Sequence, residues 1–109
     1  MVPAVKRFDV YLVNLDPTIG REIQKTRPSL VVSPDEINQH IATVILAPIT
    51  TRERSNPMRV PCRFQGKEGQ VVLGQLRTMD KVRLVRGLGR ISTKAQGEIL
   101  RVLAEMFVE

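Results

Sequence analysis

Glu22, Arg27 and Thr50 supply a carboxylate, a guanidinium and a hydroxyl on two loops that flank consecutive apolar segments. Together these groups suit the breaking of an RNA strand without a metal. There the ribose 2′-hydroxyl is the nucleophile, and an enzyme must take its proton, stabilise a charged phosphorane and protonate the departing 5′-oxygen. A carboxylate serves as base, an arginine beside the phosphate does the second task and assists the third, and a threonine holds a phosphate oxygen. The residue types alone fit equally well a surface ion pair between Glu22 and Arg27, worth under about 1 kcal/mol. Other chemistries lack their parts. One histidine and one cysteine do not make a zinc site, and the eleven carboxylates show neither EF-hand nor paired metal spacing, so no metal and no cofactor are expected. His40 falls in a connector and Cys62 inside a strand, where both read as packing or surface residues. The chain has no nucleophile elbow and no phosphate-binding glycine loop.

Charge points to the partner class. The 109 residues carry 17 Lys+Arg against 11 Asp+Glu, a net charge of +6. Residues 1–55 hold seven basic and six acidic side chains, and the remainder ten and five. From Arg77 to Lys94 the basic residues are Arg77, Lys81, Arg83, Arg86, Arg90 and Lys94, with Asp80 the only acid. Twelve of the seventeen are arginine, whose planar fork matches phosphate and carboxylate. An anionic partner follows, nucleic acid or an acidic protein, although such spacing also makes the solvated face of a strand. Only Phe8, Tyr11, Phe64 and Phe107 are aromatic, too few for a base-stacking platform.

The elements that must position these groups are short. Strands are expected at 8–14, at 29–33 after Pro28, and at 41–47, where Pro48 ends the run. Residues 16–26 and 50–57 are polar loops, and 34–40 a connector. Residues 58–64 read as an edge strand or bulge because of Pro61, joined through a turn at 65–69 to a strand at 70–74. A turn or short helix around 78–81 precedes a last strand at 83–91. Ser92 or Thr93 then caps a closing helix in which Ala95, Ile99, Leu103 and Met106 share a face. Short strands followed by one helix indicate a mainly β chain, a small antiparallel barrel covered by a helix. The length allows one domain over residues 1–109, burying about two-thirds of its surface without disulfides. With a single cysteine, no signal peptide and no long apolar run, a cytoplasmic protein that avoids membranes is expected.

Three stretches together carry a resemblance. Val10 to Thr18 followed by Gly20-Arg21-Glu22, then Thr26-Arg27-Pro28 through Pro34, then Ala47-Pro48-Ile49-Thr50 closely resemble the MazF/PemK family of toxins. The similarity continues through Gly74 to Asp80. It implies an SH3-like barrel of the CcdB/MazF kind with a C-terminal helix, acting as a homodimer. It also implies sequence-specific, metal-independent cleavage of single-stranded mRNA, leaving a 2′,3′-cyclic phosphate or 3′-phosphate and a 5′-hydroxyl.

Carried onto this chain, the resemblance makes Arg27, Thr50 and Glu22 catalytic. Arg21, Gln24, Lys25, Thr51, Arg52, Gln75 and Arg77 would bind the RNA. Relatives often have an acid directly before the glutamine of the later motif, where this chain has Gly74, so proton transfer would rest on Glu22 or Arg27. The implied protein partner is a cognate antitoxin whose acidic, disordered tail folds over the toxin. Two other readings stand beside this one. A gyrase-poisoning toxin of the same barrel class would use an apolar, Trp-bearing C-terminus, whereas this chain has no Trp. A barrel that binds RNA without cutting it would follow if the missing acid were essential.

Overall fold

A computed structural model of the chain describes residues 4–15 and 26–108. Among these residues the elements run β1 (Asp9–Asn14), β2 (Thr26–Val31), α1 (Asp35–His40), β3 (Thr43–Thr50), β4 (Arg59–Phe64), β5 (Lys67–Val72), β6 (Arg77–Asp80), β7 (Leu84–Arg90) and α2 (Thr93–Met106). Two 3₁₀ turns, Leu73–Gln75 and Lys81–Arg83, flank β6. Every strand pairing is antiparallel. The strands lie in the order β4-β5-β3-β2-β1-β7, with β6 added beside β3. β4 at one end returns to touch β7 at the other. The architecture is therefore mainly β, a curled antiparallel half-barrel of the SH3-like kind with one C-terminal helix.

β3 organises this sheet. Residues 46–48 pair with β2, residues 43–46 with β6, and residues 49–50 with β5. The strand consequently passes through Pro48, where the sequence predicts an end. Pro48 falls between the stretch paired with β6 and the stretch paired with β5, so its missing N–H breaks no ladder there. Among the described residues β4 pairs only with β5, the edge position that Pro61 requires.

Three other segments depart from the sequence reading. Residues 35–40 form a helical turn instead of an open connector, with Asp35 and Glu36 in its first turn. Its Asn38 is buried: Nδ2 donates to the Ser33 carbonyl at 2.9 Å, Oδ1 accepts from Ser33 Oγ at 2.5 Å, and the Asn38 carbonyl accepts from Lys81 Nζ. The β4–β5 hairpin turns at Gln65 and Gly66 alone, both at positive φ (50° and 74°), so Lys67, Glu68 and Gly69 belong to the strand. Of residues 78–81, read as a turn or short helix, 78–80 belong to a strand held by its register against β3, and the helical turn begins at Lys81.

The two faces of the sheet bury different residues, as the period of two demands. Val10, Leu30, Ala47, Ile49, Val71 and Leu73 form the larger core with Ala95, Ile99 and Val102 of α2. Leu103 and Met106 pack at its margin, so the predicted helix face is the buried one. Ser92 caps α2, its Oγ accepting from the Ala95 amide at 3.2 Å. On the opposite face Tyr11, Val13, Val31, Val44, Leu46 and Met79 form a second buried cluster. The site residues share this second face.

Candidate active site

Arg27 begins β2, paired with Val13 of β1. Alternation along β2 puts Arg27 on the same face as Ser29 and Val31, and alternation along β3 does the same for Leu46, Pro48 and Thr50. Ser29 is paired with Pro48. Continuing that register by two residues sets Arg27 opposite Thr50 across the β2–β3 ladder. Two residues read as loop residues from the sequence thus end neighbouring strands on one face.

A cavity of about 230 Å³ opens on this face. Arg27, Ser29, Pro48, Gln75 and Arg77 line it, over an apolar floor that includes Leu46 and Met79. Arg77 reaches the cavity because β6 pairs with β3 at Leu46. Gln75 ends the 3₁₀ turn before β6. Both arginines are exposed, and among the described residues neither guanidinium is engaged in a hydrogen bond or ion pair. Two unpaired guanidiniums at the mouth of one small cavity make a site for an oxyanion.

Thr50 is not among the lining residues and stands one step beyond Pro48 on the same face. Its Oγ1 accepts from the Arg52 amide at 3.1 Å, which fixes the first turn of the following loop. Arg52 is exposed on that loop, and its carbonyl accepts from Arg59 Nη1 at 3.1 Å. Thr51 lies away from Arg27, lining a separate cavity of about 640 Å³ between β4, β5 and the start of α2. The structure therefore brings Arg27, Gln75 and Arg77 together, leaves Thr50 at the rim, and separates Thr51. Glu22, Arg21, Gln24 and Lys25 lie outside the described residues.

Two bracing residues escaped the sequence reading. Arg59 Nη1 donates to Gln70 Oε1 at 3.2 Å, and the Arg54 amide donates to the same oxygen at 3.2 Å. Together they moor residues 52–54 to the β4–β5 ribbon. The only available signal was Arg59 and Gln70 on facing strands of a hairpin, and it needs the register to become visible. Beneath the site, burial and the nearby Asp9 carboxylate push the Tyr11 phenol above its usual range.

Among the described residues no group of three or more His, Cys, Asp and Glu could hold a metal ion. No described helix is long and apolar enough to cross a membrane.

Fold and site together define a small basic half-barrel protein with two exposed arginines beside one cavity. Residues 6–107 match the family described as PemK-like, MazF-like toxin of type II toxin–antitoxin system. The chain is 34% identical over 103 residues to an endoribonuclease MazF of Staphylococcus saprophyticus, covering 87% of this chain and 84% of that protein. A mycobacterial endoribonuclease solved in complex with its cognate antitoxin superposes with a TM-score of 0.81 at 27% identity, over 94% of this chain and 93% of that one. A MazF from Deinococcus radiodurans, solved with MazE, gives 0.78 at 25% identity, over 97% and 96%. The chain belongs to the PemK/MazF family of toxins.

Proposed function

We propose that this toxin is an endoribonuclease that cuts single-stranded RNA by attack of the 2′-hydroxyl on its own phosphate. The observation that carries this reading is the cavity where Arg27 and Arg77 converge without partners among the described residues. A scissile phosphate seated there receives two charged donors. As the 2′-oxygen attacks, negative charge grows on the phosphorane oxygens, and guanidiniums drawn onto those oxygens stabilise that charge most in the transition state. Arg27 does this from β2, and the Thr50 hydroxyl, opposite in the register, holds a phosphate oxygen at the rim. Glu22 serves as the base that accepts the 2′-proton or positions the group that does. The P–O5′ bond breaks as P–O2′ forms, leaving a 2′,3′-cyclic phosphate, and the 5′-oxygen departs with a proton. No oxidant, metal or cofactor enters this balance.

The antitoxin-bound relatives support an antitoxin as the protein partner, and the net charge of +6 favours an acidic one. A cytoplasmic homodimer is the working form that this reading expects.

Incubating the protein with a long single-stranded RNA in excess EDTA tests the reading. Discrete fragments are expected, with 5′ ends that a polynucleotide kinase labels without prior phosphatase treatment. Arg27→Ala is expected to remove the fragments while keeping the wild-type circular dichroism. Intact RNA with the wild type, or undiminished cutting by the variant, would overturn the assignment.

A further inference from the structure

A second cavity of about 230 Å³ adjoins the first and shares Leu15, Arg77 and Met79 with it. Its remaining walls are Thr43, Thr78, Asp80 and Arg83. It borders β6, which pairs with β3 along one edge only among the described residues. Arg77 thus stands between two adjoining compartments whose polar groups differ. The first offers two guanidiniums and an amide. The second adds a carboxylate and two hydroxyls.

Asp80 is the informative residue. It is the only acid between Arg77 and Lys94. It is exposed, and it shares a cavity with Arg77 and Arg83. Among the described residues it nevertheless makes no ion pair with either. Arg83 instead donates from Nη1 to the Asn14 carbonyl at 3.3 Å, which directs it toward the end of β1. A carboxylate left among cations repels a phosphate and accepts hydrogen bonds from N–H donors. In single-stranded RNA such donors lie on the Watson–Crick edges of bases, and a carboxylate takes them from an exocyclic amino group.

Resting on the endoribonuclease reading above, we infer that the second cavity reads the base next to the scissile phosphate. Arg77 holds the backbone at the junction of the two compartments, and Asp80 accepts from the amino group of the base. Between the two pyrimidines, the expected preference is cytosine over uracil. These two bases have nearly the same shape but opposite polarity where cytosine carries N4, and a carboxylate facing the uracil O4 would be repelled.

The test is cleavage of paired oligoribonucleotides that differ only by C or U at each position flanking the cut site, with wild type, Asp80→Asn and Asp80→Ala. Wild type should favour C at one fixed flanking position by about tenfold or more. Asp80→Ala should cut both oligonucleotides at similar rates. Asp80→Asn, whose amide can donate to O4, should lose or reverse the preference. Thermal melting of each variant confirms that the fold is kept. A C-to-U ratio unchanged by both substitutions, or no flanking preference in the wild type, overturns this inference while leaving the endoribonuclease reading intact. Absence of any RNA cleavage by the wild type overturns both.

Discussion

Arg27 and Arg77 line the same cavity although their strands never pair, because β3 lies between β2 and β6 and presents only Leu46 and Pro48 to the floor. Two cations approach one another there without a counter-ion among the described residues, an arrangement that favours binding of an anion.

The two arginines should separate in their kinetics. Arg27→Ala is expected to lower kcat by about 10²–10³. Arg77→Ala should chiefly weaken RNA binding, reducing the slope of log K against log salt by about one. Both side chains are exposed, so stability should change by no more than about 0.5 kcal/mol. Single-turnover cleavage and a salt series on a short oligonucleotide measure the split, and equal effects of both variants on kcat would contradict it.

Thr50 should be tolerant of one change and not of another. Thr50→Ser keeps the hydroxyl that accepts from the Arg52 amide and should retain most activity. Thr50→Val keeps the shape and loses the oxygen, leaving the amide unpaired at about 1 kcal/mol and lowering the cleavage rate by about tenfold or more. Initial rates and urea midpoints of the two variants provide the comparison.

Cys62 should impose an alkaline limit on stability. Burial pushes its thiol up to about 11, whereas an unfolded cysteine ionises near about 8.5. The unfolded chain releases this proton first, so its contribution is fully present below about 8.5 and declines as pH rises towards 11, by about 3 kcal/mol in all. Urea midpoints between pH 8 and 10.5 should fall more steeply for wild type than for Cys62→Ala. Native protein should also react slowly with a thiol reagent at pH 8.

Gly97 is a site for stabilisation. It lies inside α2, and a Cβ there would meet nothing within 4 Å. Gly97→Ala should add about 0.5–1 kcal/mol, seen as a rise of about 2–6 °C in calorimetric Tm. A fall in Tm would show that the glycine serves a contact outside the chain.

Local chemistry made much of the fold legible. The β-rich run placed β1, the apolar run after Pro28 marked the buried part of β2 although the strand begins at Thr26, and Ser92 with the Ala95, Ile99 and Met106 spacing gave α2. The misreadings share one cause. Pro48 looks like a terminator until β3 is seen to change partners there. Residues 77–80 have only Met79 as a buried apolar residue, so β6 exists through its pairing with residues 43–46. The site divides the same way. Arg27 and Thr50 were visible as motif residues, and Gln75 and Arg77 as basic or polar neighbours of a later motif. Their convergence on one cavity, and the separation of Thr51 from it, depend on pairings between segments some thirty residues apart, and no local pattern encodes these.

The three-way pairing of β3 also limits how the molecule can be silenced. β2 holds residues 46–48, β6 also holds Leu46, and β5 holds residues 49–50, so the amides about Leu46 should exchange more slowly than those at the end of the strand. An occupant laid over the face that carries Arg27 and Arg77 would block it without unfolding the strand beneath, and its removal would leave that face as it was.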